Sequence, residues 1–341
     1  MAHEQKSKRT PGPENAAGGH AIWAGLLAVA AAASAVLLAV ASRTDDGAPL
    51  SMGAAVLLGV IEGATEFLPV SSTGHLAVTQ RLLGIGAQTP AAQAAADAYV
   101  IVIQLGAILA VALLYHRRLA AMALGVVGRS CHGRRLLGRL LVAFAPAAVA
   151  GAVVGDLVKQ HLFGIWPIVA AWFVGGVVIL LATPRVSEGK AGLEQMTLKA
   201  AAAVGAAQVA ALWPGTSRSL VTILAALAVG QSLRSAVEFS FLLGLVTLGA
   251  ATAYELAREG GAILSQLGAV TPIVGVLVAF ASAVVAVRWL VGFLSRRPLT
   301  IFGWYRIAVA FGVAGFTLLS PVDARTTLQD EPPHTAPLLV E

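Results

Sequence analysis

Glu62 and Glu66 stand four positions apart in the run Leu58-Gly59-Val60-Ile61-Glu62-Gly63-Ala64-Thr65-Glu66-Phe67-Leu68-Pro69. On a helix this spacing puts both carboxylates on one face. No Lys or Arg follows them until Arg81. In so apolar a run the pair is expected at bilayer depth, where a charge costs at least about 2.5 kcal/mol on insertion scales. Two like charges also repel. The pair becomes intelligible if it binds a divalent cation or borders a watery cavity. Carboxylate oxygens suit Mg²⁺ or Ca²⁺ better than Zn²⁺. The plainer reading is a pair at the membrane rim, wetted by headgroups.

Ser71, Ser72, Thr73 and His75 follow directly after Pro69-Val70. Any one hydroxyl can cap the next helix. Three in a row beside a His also supply a nucleophile and a general acid or base; His75 has a purely structural reading as well. Arg218 sits in a second bend, Trp213-Pro214-Gly215-Thr216-Ser217-Arg218-Ser219. Its guanidinium is always charged and matches phosphate oxygens bidentately. With Ser217 and Ser219 it makes a phosphate clamp, and a carboxylate such as Glu238 is an alternative partner. Together, two acids, hydroxyls with a His, and an Arg-Ser bend suit metal-assisted phosphoryl transfer on an amphiphilic phosphate ester or diphosphate.

The rest of the chain says what must position these groups. Of 341 residues, 57% are apolar and 12% charged, about half the charge of a soluble domain. Mean hydropathy is +0.81. Disordered, collagen-like and disulfide-rich classes are excluded, and continuous Ala/Leu/Val runs argue against a barrel. The expectation is an all-α polytopic membrane protein. The net charge of +6 comes from Lys and Arg in short loops between apolar runs, where they set orientation, so no nucleic-acid partner is expected. Cys131 is the single cysteine and forms no internal disulfide.

Spans are expected near 97–115, 138–157, 165–182, 237–257, 270–292 and 303–320. Residues 1–20 and 322–341 read as disordered tails, and 21–41 as an extra transmembrane helix, with a signal peptide as its rival. Segments 53–84 and 199–230 are interrupted by proline and small polar residues. Backbone freed at membrane depth is tolerated only inside protein or beside a water-filled cavity. Orientation by the basic loops leaves both segments returning to the side they came from, as re-entrant hairpins entering from opposite faces. That predicts an inverted-repeat bundle whose site lies where the hairpins meet, with half-helix N-termini offered to an anion.

The run Glu62-Gly63-Ala64-Thr65-Glu66-Phe67-Leu68-Pro69-Val70-Ser71-Ser72-Thr73-Gly74-His75 resembles the first motif of the bacterial undecaprenyl-diphosphate phosphatase family, the bacitracin-resistance type. Pro214 to Ser219 resembles the second motif, and Ile103-Gln104-Leu105-Gly106, Glu238 to Leu243 and Tyr305-Arg306 echo it further. The resemblance covers about residues 50–320. It implies a bacterial plasma-membrane enzyme, open to the outer face, that removes the terminal phosphate of undecaprenyl diphosphate and regenerates the carrier lipid of cell-wall synthesis. It implies a divalent cation, Mg²⁺ or Ca²⁺, with Glu62 and Glu66 as the metal-associated acids. It makes Ser71, Ser72 and His75 the candidates for attack and proton transfer, and gives the phosphates to Ser217, Arg218, Ser219 and Thr73. A homodimer is compatible with it.

Three positions depart from the family pattern. Leu220 replaces Gly after Ser-Arg-Ser, with altered amide donation near Arg218 expected. Val246 replaces Pro, with a straighter helix expected. Val100 stands where an acid is common, with Asp97 displaced. These departures keep open a shorter prenyl diphosphate as substrate for a phosphatase or another prenyl diphosphate-consuming enzyme. Broken inverted repeats keep open a non-hydrolytic lipid-phosphate transporter. The nucleophile stays open between Ser72, His75 and a held water.

Overall fold

The computed structural model describes residues 50–87, 89–185 and 189–319. The expected tails and the 21–41 stretch lie outside them. The described residues form eleven α-helices: α1 Met52–Thr65, α2 Ser72–Leu83, α3 Pro90–Leu114, α4 His116–Val126, α5 Cys131–Leu162, α6 Ile165–Ala182, α7 Leu198–Gln208, α8 Arg218–Ala228, α9 Leu233–Leu267, α10 Val270–Leu294 and α11 Thr300–Leu319. Six helices are long and apolar enough to cross a membrane: α3, α5, α6, α9 over Leu233–Arg258, α10 and α11. They coincide with the six expected spans, and the chain is a polytopic helical membrane protein.

Two stretches differ from expectation. Residues 116–126, expected as loop, form α4. Its backbone lies against α5 at Gly125 and Gly133, where a Cβ would strike Arg134 N and Ala121 O. Helix α5 begins earlier than expected because Ser130 caps it, its Oγ accepting from Gly133 N at 3.0 Å. Arg134, Arg135 and Arg139 are therefore helical. The charges that marked this stretch as a loop hid a short helix held by backbone contact.

Both interrupted segments are broken helices. Helices α1 and α2 have 14 and 12 residues, and α7 and α8 have 11 each. At 1.5 Å per residue none of them alone crosses a hydrocarbon layer of about 30 Å. Within each segment the two halves pack on each other, the first pair also against α10 and α3, the second against α5 and α9. Gly63 makes the first of these contacts close: a Cβ there would meet Ala279 O on α10. Small residues at a helix contact let backbones approach, the usual means of association where lipid gives no hydrophobic drive. The largest core cluster joins Phe67 and Val70 of the first break to Leu220 and Ile223 of α8 and to Phe239, Phe241 and Leu243 of α9. The two breaks thus share one buried centre.

The departures find simple places here. Leu220 lies in the first turn of α8, where an ordinary side chain fits; its N–H donates to Ser217 Oγ at 3.3 Å and its side chain is buried in the core. Val246 lies within the continuous α9. Asp97 accepts from Gln93 at 2.9 Å, on the same helix.

Candidate active site

Each break frees backbone carbonyls that a buried setting must pair. In the first break, Leu68 O accepts from Ser219 Oγ at 2.7 Å and Ser217 Oγ at 3.4 Å. Pro69 O accepts from Arg306 Nη1 at 3.4 Å, and Val70 O from the Trp172 indole at 3.0 Å. Ser71 O faces His75 Nδ1 at 2.7 Å. In the second break, Gly215 O accepts from Arg306 Nη2 at 2.8 Å. Serines of the second break therefore satisfy the first, and Arg306, fully buried on α11, holds both.

The two breaks have the same local geometry. Ser71 caps α2 with φ 74° and ψ 100°; Ser217 caps α8 with φ 73° and ψ 111°. Each hydroxyl accepts from the amide three residues on, Gly74 N at 3.4 Å and Leu220 N at 3.3 Å. Among the described residues they are the only non-glycine residues at positive φ, and a residue held in so sparsely populated a conformation costs about 1–3 kcal/mol. The strain sits where each chain turns sharply into a half-helix. Counting back equally from the two serines, Glu62 matches Gln208, so the second broken segment carries an amide where the first carries an acid.

The half-helix starts border one cavity of about 120 Å³. Its lining includes Glu66, Ser71, Ser72, Thr73, Ser217 and Arg218, with Gln104 from α3. Two helix N-termini thus bring first-turn amides and positive dipole ends to one small space. Arg218 Nη2 donates to Glu66 Oε1 at 3.2 Å, with both side chains less than a tenth exposed. Ser72 Oγ donates to Glu66 Oε2. Arg218 is held from three further sides. Nη1 donates to Ser240 O at 2.9 Å, the guanidinium lies 5.2 Å from the Phe67 ring centroid, and it fills the space a Cβ on Gly244 would take. The alternative carboxylate, Glu238, pairs instead with Arg118 Nε at 2.7 Å.

Glu62 has a different fate from Glu66. It is fully buried, does not line the cavity, and neither carboxylate oxygen has a hydrogen-bond partner among the described residues. It lies within Coulombic reach of Glu66 and Arg218. One guanidinium thus serves two carboxylates, and an uncompensated buried carboxylate costs several kcal/mol. The unpaired oxygens fit a divalent cation, to which Glu62 and Glu66 would contribute, although no group of three or more His, Cys, Asp or Glu gathers among the described residues.

His75 lies off the cavity lining. A carbonyl only accepts, so Nδ1 carries the proton toward Ser71 O. Nε2 then accepts from Tyr305 Oη at 2.8 Å. Its ring packs 5.0 Å from Trp172 and 5.9 Å from Tyr305. Ser219 reaches Leu68 O and Ser217 rather than the cavity. Sequence reasoning did not assign roles to Arg306, Trp172, Phe67, Gly244 or Gln208. Phe67 lay within the first motif and Arg306 within the Tyr305-Arg306 echo, but nothing in either gave its partners, and Gly244 and Gln208 were marked only as a Gly and an amide within apolar runs.

The family model described as Bacitracin resistance protein BacA matches residues 55–312. The chain is 44% identical over 260 residues to an Undecaprenyl-diphosphatase of Sorangium cellulosum, covering 75% of this chain and 83% of that one. It is 44% identical over 255 residues to Undecaprenyl-diphosphatase 2 of Rhodospirillum rubrum, covering 74% and 90%. It is 40% identical over 279 residues to an Undecaprenyl-diphosphatase of Methylibium petroleiphilum, covering 78% and 94%. The broken helices and the residues at their junction therefore sit in a chain that belongs to the bacitracin resistance protein BacA family.

Proposed function

We propose that this protein hydrolyses undecaprenyl diphosphate to the monophosphate carrier lipid and inorganic phosphate. The observation that carries the reading is the meeting of Glu66 and Arg218 across the two breaks, at a cavity bordered by Ser71, Ser72, Thr73 and Ser217. The names of relatives at 40–44% identity support it. The diphosphate enters the cavity while its prenyl tail stays in lipid. The hairpins enter from opposite faces, in the plasma membrane, with the site open to the outside.

Arg218 has N–H groups beyond those given to Glu66 and Ser240. They neutralise the terminal phosphate, aided by first-turn amides of α2 and α8 and the Thr73 and Ser217 hydroxyls. Ser72 Oγ, already donating to Glu66, attacks the terminal phosphorus and passes its proton to that carboxylate. The new Oγ–P bond replaces the bond to the bridging oxygen, which takes the proton from Glu66 as the prenyl monophosphate leaves, so that Glu66 is a carboxylate again. Water then cleaves the phosphoserine, with Glu66 as base, releasing phosphate. His75 holds the Ser71 carbonyl and, with it, the turn that aims Ser72. Glu62 and Glu66 are the residues that would hold a divalent cation, which when bound would supply charge neutralisation.

The test is phosphate release by purified protein with Mg²⁺ and prenyl diphosphates of graded length. Release that is fastest with the undecaprenyl chain supports the reading. Preference for a short chain assigns a different substrate. Release of diphosphate, or none from any chain, overturns it, the last outcome favouring transport without hydrolysis.

A further inference from the structure

Gln104 borders the same cavity from the middle of α3 and has no role in the account above. Among the described residues its side chain makes one hydrogen bond: Thr252 Oγ1 on α9 donates to Oε1 at 3.1 Å. Thr252 is 1% exposed and lies outside the cavity lining. An amide has two unlike ends, an acceptor oxygen and an NH₂ with two donors. With the oxygen taken by Thr252, the end left free is the donor.

We propose that Gln104 Nε2 donates to a non-bridging phosphate oxygen of the prenyl diphosphate, and that Thr252 is the positioning residue that decides which end of the amide the cavity meets. The inference rests on the phosphatase reading and deepens it. The cavity is charged on one side by the Glu66–Arg218 pair. A second base would draw Glu66 away from Ser72, and a second acid would repel the substrate. A neutral donor adds a contact to the anion without changing that balance. Freed from Thr252, the amide can turn its oxygen toward the phosphate, and a donor is replaced by an electrostatic repulsion.

The experiment compares the parent protein with Gln104→Leu, Thr252→Val and Thr252→Ser, all shown to be folded by thermal unfolding in detergent. Phosphate release gives kcat and KM for undecaprenyl diphosphate. Calorimetric titration with inorganic pyrophosphate reads the contact without turnover, so a failed phosphatase reading and a failed Gln104 contact are told apart. A hydrogen bond to a charged group predicts a KM raised about tenfold or more for Gln104→Leu, with a matching loss of pyrophosphate affinity. Thr252→Val should show a KM rise of about threefold or more with little change in kcat, and Thr252→Ser should restore the parental value. Parental KM and pyrophosphate affinity in Gln104→Leu would overturn the contact. The same result in Thr252→Val alone would overturn the positioning role. An equal fall in kcat for Val and Ser at Thr252, with KM unchanged, would make Thr252 a packing residue and also overturn that role.

Discussion

Arg218, from the second broken segment, donates to Glu66, from the first, at 3.2 Å, and Ser240 O takes its other amino group at 2.9 Å. The contact joins residues far apart in sequence within one enclosed space. It turns two separate bends into one site and makes each bend's geometry depend on the other.

Gly244 leaves the room in which the Arg218 guanidinium lies. Gly244→Ala places a methyl group there and pushes the guanidinium off Glu66. Ala is tolerated in a helix better than Gly, so α9 should remain folded. Phosphate release per unit enzyme should fall at least about tenfold with an unfolding temperature close to the parent's. Parental activity would show that Arg218 does not need this position.

Arg306 donates to Pro69 O, Ala171 O and Gly215 O. Arg306→Met leaves the two break carbonyls, Pro69 O and Gly215 O, without this donor, at about 1–3 kcal/mol each, whereas Ala171 O keeps its place within α6. The variant should lose several kcal/mol of stability and melt well below the parent in detergent, with activity lost in parallel. An unchanged melting temperature would mean that water replaces these bonds without cost.

Glu62 is a buried carboxylate without a hydrogen-bond partner among the described residues. In chelator, Glu62→Gln should melt higher than the parent, because an uncompensated charge is removed. Added Mg²⁺ should stabilise the parent by mass action and the variant much less. Equal response of both proteins to Mg²⁺ would remove Glu62 from cation binding.

Ser71 and Ser72 are adjacent but differently used. Ser71 caps α2 at positive φ, whereas Ser72 donates to Glu66. Ser72→Ala should lower kcat by about two orders of magnitude or more. Ser71→Gly relieves the strained φ and loses little as a cap, so kcat should stay within about tenfold of the parent. Comparable losses at both positions would contradict Ser72 as the attacking group.

The acids, hydroxyls and Arg218 were legible in the sequence because each is out of place in an apolar run. The helix breaks were legible because proline and small polar residues cannot continue a membrane helix. Six spans followed from length and hydropathy. The different fates of Glu62 and Glu66 were not legible, since helical spacing gives a shared face but not what covers it. Nor was the coupling of His75 to Tyr305, or of Arg306 to both breaks, because these contacts close over 91 to 237 residues of chain. Helix α4 was missed because its many charges gave no continuous apolar run, and backbone packing at Gly125 and Gly133 holds it.

The most direct measurement is a double-mutant cycle on kcat/KM with Glu66→Gln, Arg218→Gln and both together. If one anion bridges the two segments, the losses are strongly non-additive, and the double variant is little worse than the weaker single one. Losses that multiply independently would mean that the carboxylate and the guanidinium act on different things.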